Sequence, residues 1–219
     1  TASDLYCWGG NGSGQLGVGA QGASQTSPQL VGSGFVSVSA GSWHTCAVKT
    51  NGDAYCWGGN AYGNVGDGTA ANVRTSPVLV SGGLAFASVD AGSLTEPGLS
   101  AGGHTCGVTT GGAAYCWGLG LAGELGNGAN ANASSPVAVS GGLTFRSVSA
   151  GERHACGVTT SGAVYCWGGN GVGQLGTGNK TSSNVPAAIY NPGGVIFAFH
   201  QSIGANHALR AHSPAEQTL

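Results

Sequence analysis

The sequence has no methionine, and only 6% of its 219 residues are charged. A chain without even an initiator methionine reads as a processed protein or an internal fragment. Six Lys and Arg stand against eight Asp and Glu, for a net charge of −2. That balance supplies no basic face of the kind nucleic acid requires, so no nucleic-acid partner is expected. No apolar run reaches the roughly 18 residues of a spanning helix, so no membrane insertion is expected. Prolines are few, at seven, and the glycines follow no Gly-X-Y period, which excludes collagen. Helical periodicity is missing as well. What the chain has in quantity is glycine, 44 residues, together with a hydrophobic content of 41% that argues for a packed core. These features describe a glycine-punctuated, all-β protein.

Internal repeats set the organisation. Tyr-Cys-Trp-Gly occurs at Tyr6–Gly9, Tyr55–Gly58, Tyr115–Gly118 and Tyr165–Gly168, which puts Trp8, Trp57, Trp117 and Trp167 at intervals of 49, 60 and 50 residues. A second mark follows each tryptophan: Gln15-Leu16-Gly17, Asn64-Val65-Gly66, Glu124-Leu125-Gly126 and Gln174-Leu175-Gly176. A proline comes next, at Pro28, Pro77, Pro136 and Pro186. Three copies then carry Phe35, Phe86 or Phe145 ahead of Val38, Val89 or Val148 and an Ala-Gly pair. A His-x-Cys strand closes these units at His44, His104 and His154, whereas the fourth copy reads His207-Ala208-Leu209. Four short strands per unit at a period near 50 residues predict a propeller blade.

The Ala-Gly-x-x-His-x-Cys strand, the Tyr-Cys-Trp-Gly strand and the Gly10–Gly17 and Gly169–Gly176 loops resemble the RCC1-repeat (regulator of chromosome condensation) family of β-propellers. The regular cysteines point to a bacterial, exported, Cys-rich type. Such propellers usually have seven blades, and this chain supplies four. The expected fold is one all-β domain over residues 1–219. Its repeat units are roughly 1–34 plus 197–219, 35–85, 86–144 and 145–196. Either Asp4–Gly9 pairs beside Gly204–Ala211 to close four blades, with Trp8 against Ala208 and Cys7 covered by Leu209, or the chain is an arc of a larger propeller, completed by missing blades or a second subunit. In the first case Cys7 stays a free thiol; in the second, upstream blades hold its partner.

Six of the seven cysteines fall in pairs, Cys46/Cys56, Cys106/Cys116 and Cys156/Cys166, around Gly52, Gly112 and Gly162. A three-residue hairpin loop ending on the glycine, as in residues 50–52, sets each cysteine directly opposite its mate. Directly opposed positions of a non-hydrogen-bonded pair lie within disulfide reach. The same register sets Trp57 opposite Thr45 and Tyr55 opposite Ala47, large on small. Zinc sites favour closer Cys knuckles, so disulfides are the preferred reading and buried free thiols the alternative. Disulfides imply an extracellular or cell-surface location.

Chemistry-bearing clusters are scarce. His44, His104, His154 and His207 recur at one repeat position, better read as a shared structural slot than as a metal ring. No carboxylate recurs with a partner histidine at a spacing that suggests a dyad, and no Gly-x-Ser-x-Gly elbow lies between a strand and a helix, so neither an enzyme nor a cofactor is expected. Asp67 and Asn127 sit in loops that could touch a cation but complete no calcium pattern. Sequons at Asn11, Asn132 and Asn179 mark candidate glycosylation sites. The long 60-residue interval places about ten additional residues at Ser93–Gly102, a surface insertion expected to be dispensable for folding. Ser93, Leu94, Thr95, Glu96, Pro97 and Gly98 form the candidate partner loop. The leading function is a non-enzymatic scaffold presenting loops to a protein partner, comparable to the propeller inhibitors of β-lactamases. Alternatives are a structural subunit of an extracellular assembly, with self-assembly, and an exchange-factor-like binder of a small GTPase. A lectin-like role would require exposed tryptophans, and their opposition to small residues argues that all four are core.

Overall fold

The computed structural model describes residues 3–70, 73–94 and 102–190. Among the described residues, thirteen strands form three antiparallel sheets. The first contains β1 (Ser3–Asn11), β2 (Gly22–Ala40), β3 (His44–Lys49), β4 (Ala54–Gly58) and β5 (Arg74–Leu79), in that order. The second is β6 (Phe86–Ala91), β7 (His104–Thr109), β8 (Ala114–Gly118) and β9 (Ala133–Ala138). The third is β10 (Phe145–Ala150), β11 (His154–Thr159), β12 (Val164–Gly168) and β13 (Ser183–Ala188). The sheets pack in chain order, with β6 against β2 and β3, and β10 against β6 and β7.

Each cysteine pair sits in the hairpin that its glycine dictates. Gly52, at φ +88°, donates its N–H to Lys49 O at 2.9 Å, and Lys49 N–H donates to Asp53 O at 2.9 Å. From that hydrogen-bonded pair the alternation makes Cys46 and Cys56 a non-hydrogen-bonded pair, with Cα atoms 4.1 Å apart. Thr45 faces Trp57 and Ala47 faces Tyr55. The hairpins β7–β8 and β11–β12 repeat the register residue for residue. All three disulfides are formed, Cys46–Cys56, Cys106–Cys116 and Cys156–Cys166.

The core lies between sheets. Trp57, Trp117 and Trp167 are 0% exposed and meet Phe35, Phe86 and Phe145 at ring-centroid distances of 6.3, 5.7 and 5.9 Å. Each ring also lies on the loop of the preceding unit. A Cβ at Gly17, Gly66 or Gly126 would come within 2.6, 2.6 and 2.8 Å of the indoles of Trp57, Trp117 and Trp167. The indole N–H donates to the carbonyl of Gln15, Asn64 or Glu124 at 2.9, 3.1 and 2.9 Å.

The first unit departs from the four-strand pattern. β2 is 19 residues long and serves as the last strand of one unit and the first of the next. Elsewhere a Gly-Gly pair with positive φ, Gly82-Gly83 or Gly141-Gly142, turns the chain between these strands. Between Pro28 and Phe35 that pair is missing and the segment is two residues shorter, so the backbone runs straight through. β1 pairs with the front of β2, Cys7 facing Gln29 and Gly9 facing Gln25. This is the offset of Cys56 to Val78 and Gly58 to Arg74, so β1 holds the third-strand position of its unit. The expected pairing of Asp4–Gly9 with Gly204–Ala211 involves residues outside the described ones. The expectation that all four tryptophans are core needs correction. Trp8 is 62% exposed, because no inner strand lies over it among the described residues. Cys7 is a half-buried free thiol whose pKa burial raises.

Two stability measurements test this construction. Replacing Cys106 and Cys116 together by Ala should lower the unfolding free energy by about 2–3 kcal/mol in urea titrations, the scale for so short a closed loop. Gly126→Ala should cost about 2–4 kcal/mol, since a Cβ meets the Trp167 ring at a backbone of φ +64°. An unchanged urea midpoint in Gly126→Ala would show that the loop shifts freely off the indole.

Candidate interaction face around the insertion

The inner strands β2, β6 and β10 end together, and their ends bring polar groups of three units into one network. Ser39 Oγ donates to Asp90 Oδ1 at 2.7 Å, while Ser149 Oγ and Ala150 N–H donate to Asp90 Oδ2 at 2.9 and 2.8 Å. Ala91 N–H returns to Ser39 Oγ at 3.0 Å. Beyond these residues a Cβ on Gly41 would fall 2.5 Å from Gly92 O, and one on Gly92 2.8 Å from Gly151 O. The Ala-Gly pair of the repeat is thus a close-approach device. Repeat reading missed the network; the trace it left is the single Asp at a position where the neighbouring units carry Ser.

Behind these ends lie the histidines. His44 and His104 are fully buried. His44 Nε2 lies 2.8 Å from Thr105 Oγ1, whose own hydrogen goes to Asn64 O at 2.8 Å. The hydroxyl has one proton to give, so His44 must donate from Nε2 and its Nδ1 carries none. That Nδ1 has no hydrogen-bond partner among the described residues, and neither ring nitrogen of His104 has one. Among the described residues no group of three His, Cys, Asp or Glu is placed to hold a metal. His207 lies outside them.

The insertion leaves the sheet between β6 and β7. Its first residues run inward: Leu94 is 0% exposed and its carbonyl accepts the Trp43 indole N–H at 2.7 Å. At its far end Gly102 is buried, and any side chain there would collide with the Tyr62 ring. The expectation that Ser93–Gly102 is a surface loop throughout is therefore corrected at Leu94 and Gly102. Leu94 is an anchor, its side chain fully buried and its carbonyl held by the Trp43 indole. Thr95, Glu96, Pro97 and Gly98 lie outside the described residues.

The loops after β1, β4, β8 and β12 show what their polar residues do. Asn11 is buried; its Oδ1 accepts Leu16 N–H at 3.2 Å and its Nδ2 donates to Ala20 O at 3.0 Å. Asn60 and Asn170 repeat that arrangement. Asn11 is corrected from a glycosylation site to a structural loop brace, because its amide nitrogen is committed to the fold. Asn132 and Asn179 are exposed. Glu124, fully buried, accepts Ala122 N–H at 2.7 Å and pairs with Arg153 at 3.4 Å. Asp67 is tied to Thr69 and, at 2.6 Å, to Arg74. Burial alone would raise its pKa, but the hydrogen bonds from Thr69 and Arg74 and the guanidinium charge hold it below the usual value. Asn127 Oδ1 accepts Ala129 N–H at 3.0 Å.

Burial lowers the pKa of His44 to about 4. Burial, with His154 and His44 nearby, lowers that of His104 to about 3. Unfolded, each titrates near 6.5, so between these values the unfolded chain binds more protons and stability rises with pH. The contribution is complete above about pH 7 and falls by about 1.4 kcal/mol per histidine per pH unit as pH drops from 6.5 toward 4. Thermal midpoints should decline over that window, and His44→Gln, whose amide keeps a donor toward Thr105, should show a shallower decline. An equal slope in the variant would mean that His44 takes up its proton without cost.

Comparison with known proteins places these features. The family model described as "Regulator of chromosome condensation (RCC1) repeat" matches residues 3–48, 111–158 and 161–209, and a second model of that description matches 35–64 and 145–174. No curated protein sequence matches the chain. Among solved structures, human WBSCR16 superposes at a TM-score of 0.74 with 20% identity, over 88% of this chain and 50% of that one. Prp20p from Saccharomyces cerevisiae gives 0.73 and 19%, over 87% and 47%. Yeast RCC1 (Prp20) bound to Kap60 gives 0.71 and 20%, over 85% and 44%. The chain spans about half the length of the structures it matches. Its three sheets form an arc of an RCC1 propeller, and the chain belongs to the RCC1-repeat family.

Proposed function

We propose that the chain is a non-enzymatic, exported or cell-surface scaffold of the bacterial, Cys-rich type, and that it presents the Ser93–Gly102 insertion to a protein partner. The observation that carries this reading is the anchoring of the insertion at both ends, at Leu94 by the Trp43 indole and at Gly102 under the Tyr62 ring. A segment whose two ends are fixed before binding loses less conformational entropy on forming a complex. Three intra-unit disulfides, which persist in oxidising compartments, support export. The scaffold is one domain of repeat units 35–85, 86–144 and 145–196, with 1–34 and 197–219 contributing to a further unit.

The binding to Gsp1p and histones named for Prp20p belongs to that yeast protein. An exchange-factor role here would set three disulfides in a reducing cytosol. The structural-subunit reading draws support from the exposed edge around Trp8.

Replacing residues 95–101 with a Gly-Ser linker of equal length should leave the thermal midpoint unchanged. A photo-crosslinking residue at Tyr62, beside the insertion, should trap one dominant cell-surface protein with the intact chain and lose it with the linker chain. Equal trapping by both chains would remove the insertion from recognition.

A further inference from the structure

We propose that one ordered water completes the junction between the second and third sheets. It bridges the His104 ring and the Glu124 carbonyl, in the place that a threonine hydroxyl takes one junction earlier. At that earlier junction, between the first and second sheets, the chain supplies the hydroxyl itself. Thr105 Oγ1 lies 2.8 Å from His44 Nε2 and donates to Asn64 O at 2.8 Å. Asn64 O also takes the Trp117 indole N–H at 3.1 Å, so both lone pairs of this carbonyl are engaged. Gln15 O is served likewise, by Thr45 Oγ1 at 2.8 Å and by the Trp57 indole at 2.9 Å.

The third unit lacks that hydroxyl. Ala155 holds the position of Thr45 and Thr105: each follows its histidine by one residue, and each faces a tryptophan across the hairpin. Glu124 O therefore receives the Trp167 indole at 2.9 Å with no threonine hydroxyl beside it. His104 stands to Ala155 as His44 stands to Thr105. It is fully buried, and neither ring nitrogen is hydrogen-bonded among the described residues. The His154 carbonyl is close enough to favour a charged His104 ring. That carbonyl is already bonded to Gly151 N–H at 2.8 Å and lies outside hydrogen-bonding geometry for the imidazole.

The chemistry of these groups selects the ligand. A neutral imidazole carries one N–H and one bare nitrogen, so His104 has both a donor and an acceptor to satisfy. Buried polar atoms of this kind are generally partnered by protein or by ordered water. A group that bridges His104 to Glu124 O, as Thr105 Oγ1 bridges His44 to Asn64 O, must accept a proton from the ring and give one to the carbonyl. A metal or ammonium cation has no lone pair for the N–H, and an anion has no proton for the carbonyl. A hydroxyl does both, and one oxygen fills the corresponding place beside Thr105, so water is the ligand that fits. Ala155 and Trp167 are fully buried, so exchange of this water reports parting of the second and third sheets.

Nuclear magnetic resonance of the full chain above pH 7, where His104 is neutral, should show its ring N–H protected from exchange and in contact with a long-lived water. In Ala155→Thr that water contact should vanish and the urea midpoint should rise. Ala155→Val fills the same space without a hydroxyl, so it expels the water and leaves His104 and Glu124 O unpaired. Its unfolding equilibrium should be about tenfold less favourable to the folded state than that of Ala155→Thr. A wild-type ring N–H without a water contact, a contact that persists in Ala155→Thr, a lowered midpoint in that variant, or equal midpoints for the two variants would each overturn the bridging water.

Discussion

The arc depends on a tryptophan ring packed against a backbone that has no room for a side chain. At each junction the ring is fully buried, and the glycine beneath it has a positive φ as well as a Cβ-excluding contact. Two independent reasons therefore demand glycine at Gly17, Gly66 and Gly126. The indole N–H finds its acceptor two residues earlier, at the carbonyl of Gln15, Asn64 or Glu124, so no polar atom of the ring is left unpaired. The residue between carbonyl and glycine is Leu16, Val65 or Leu125, and each points into the core. The three-residue mark read from the sequence is thus one joint: an acceptor, an apolar plug and a seat.

The same joint explains the variation at its first position. Gln15, Glu124 and Gln174 reach back with a side-chain oxygen to the N–H two residues before them, at 2.8, 2.7 and 3.1 Å. Asn64 is one methylene shorter. Its amide turns instead to Gly59 O, and its Oδ1 is left without a partner among the described residues. Charge is incidental here, since Gln and Glu make the same bond. Glu124 differs only in needing Arg153 beside it to compensate a buried carboxylate. That is how a chain with so few charges still carries an ion pair in its interior.

The parts of the fold legible in the sequence are those that a repeat writes several times. Hairpin register follows from the position of Gly52, Gly112 and Gly162, and the cysteine pairs and the Trp-on-Thr opposition come with it. The fusion of two strands into β2 was also written there, as a missing Gly-Gly pair and a shorter segment, though a unit-by-unit reading passes over it. What escaped were contacts between units at positions that do not repeat. Asp90 is one substitution in a Ser series, and its role exists only because β2 and β10 bring Ser39 and Ser149 to it. Leu94 sits in an insertion with no counterpart, so nothing in the pattern marks it as buried. Asn11 looks like a sequon because its neighbours are Gly and Ser, while its burial is set by Leu16 and Ala20 further along the loop.

Covalent and packing contacts divide the work between scales. The disulfides lie inside hairpins, so each unit fixes its own inner strands whatever stands beside it. Burial of the inner strand, by contrast, is decided by the neighbour: Phe35 stays covered by Trp57 of its own unit, while Val38 is exposed where no inner hairpin of the preceding unit stands among the described residues. A repeat array with strong units and neighbour-dependent junctions keeps each unit's fold whatever stands beside it, and only the cover of its inner strand depends on the neighbour.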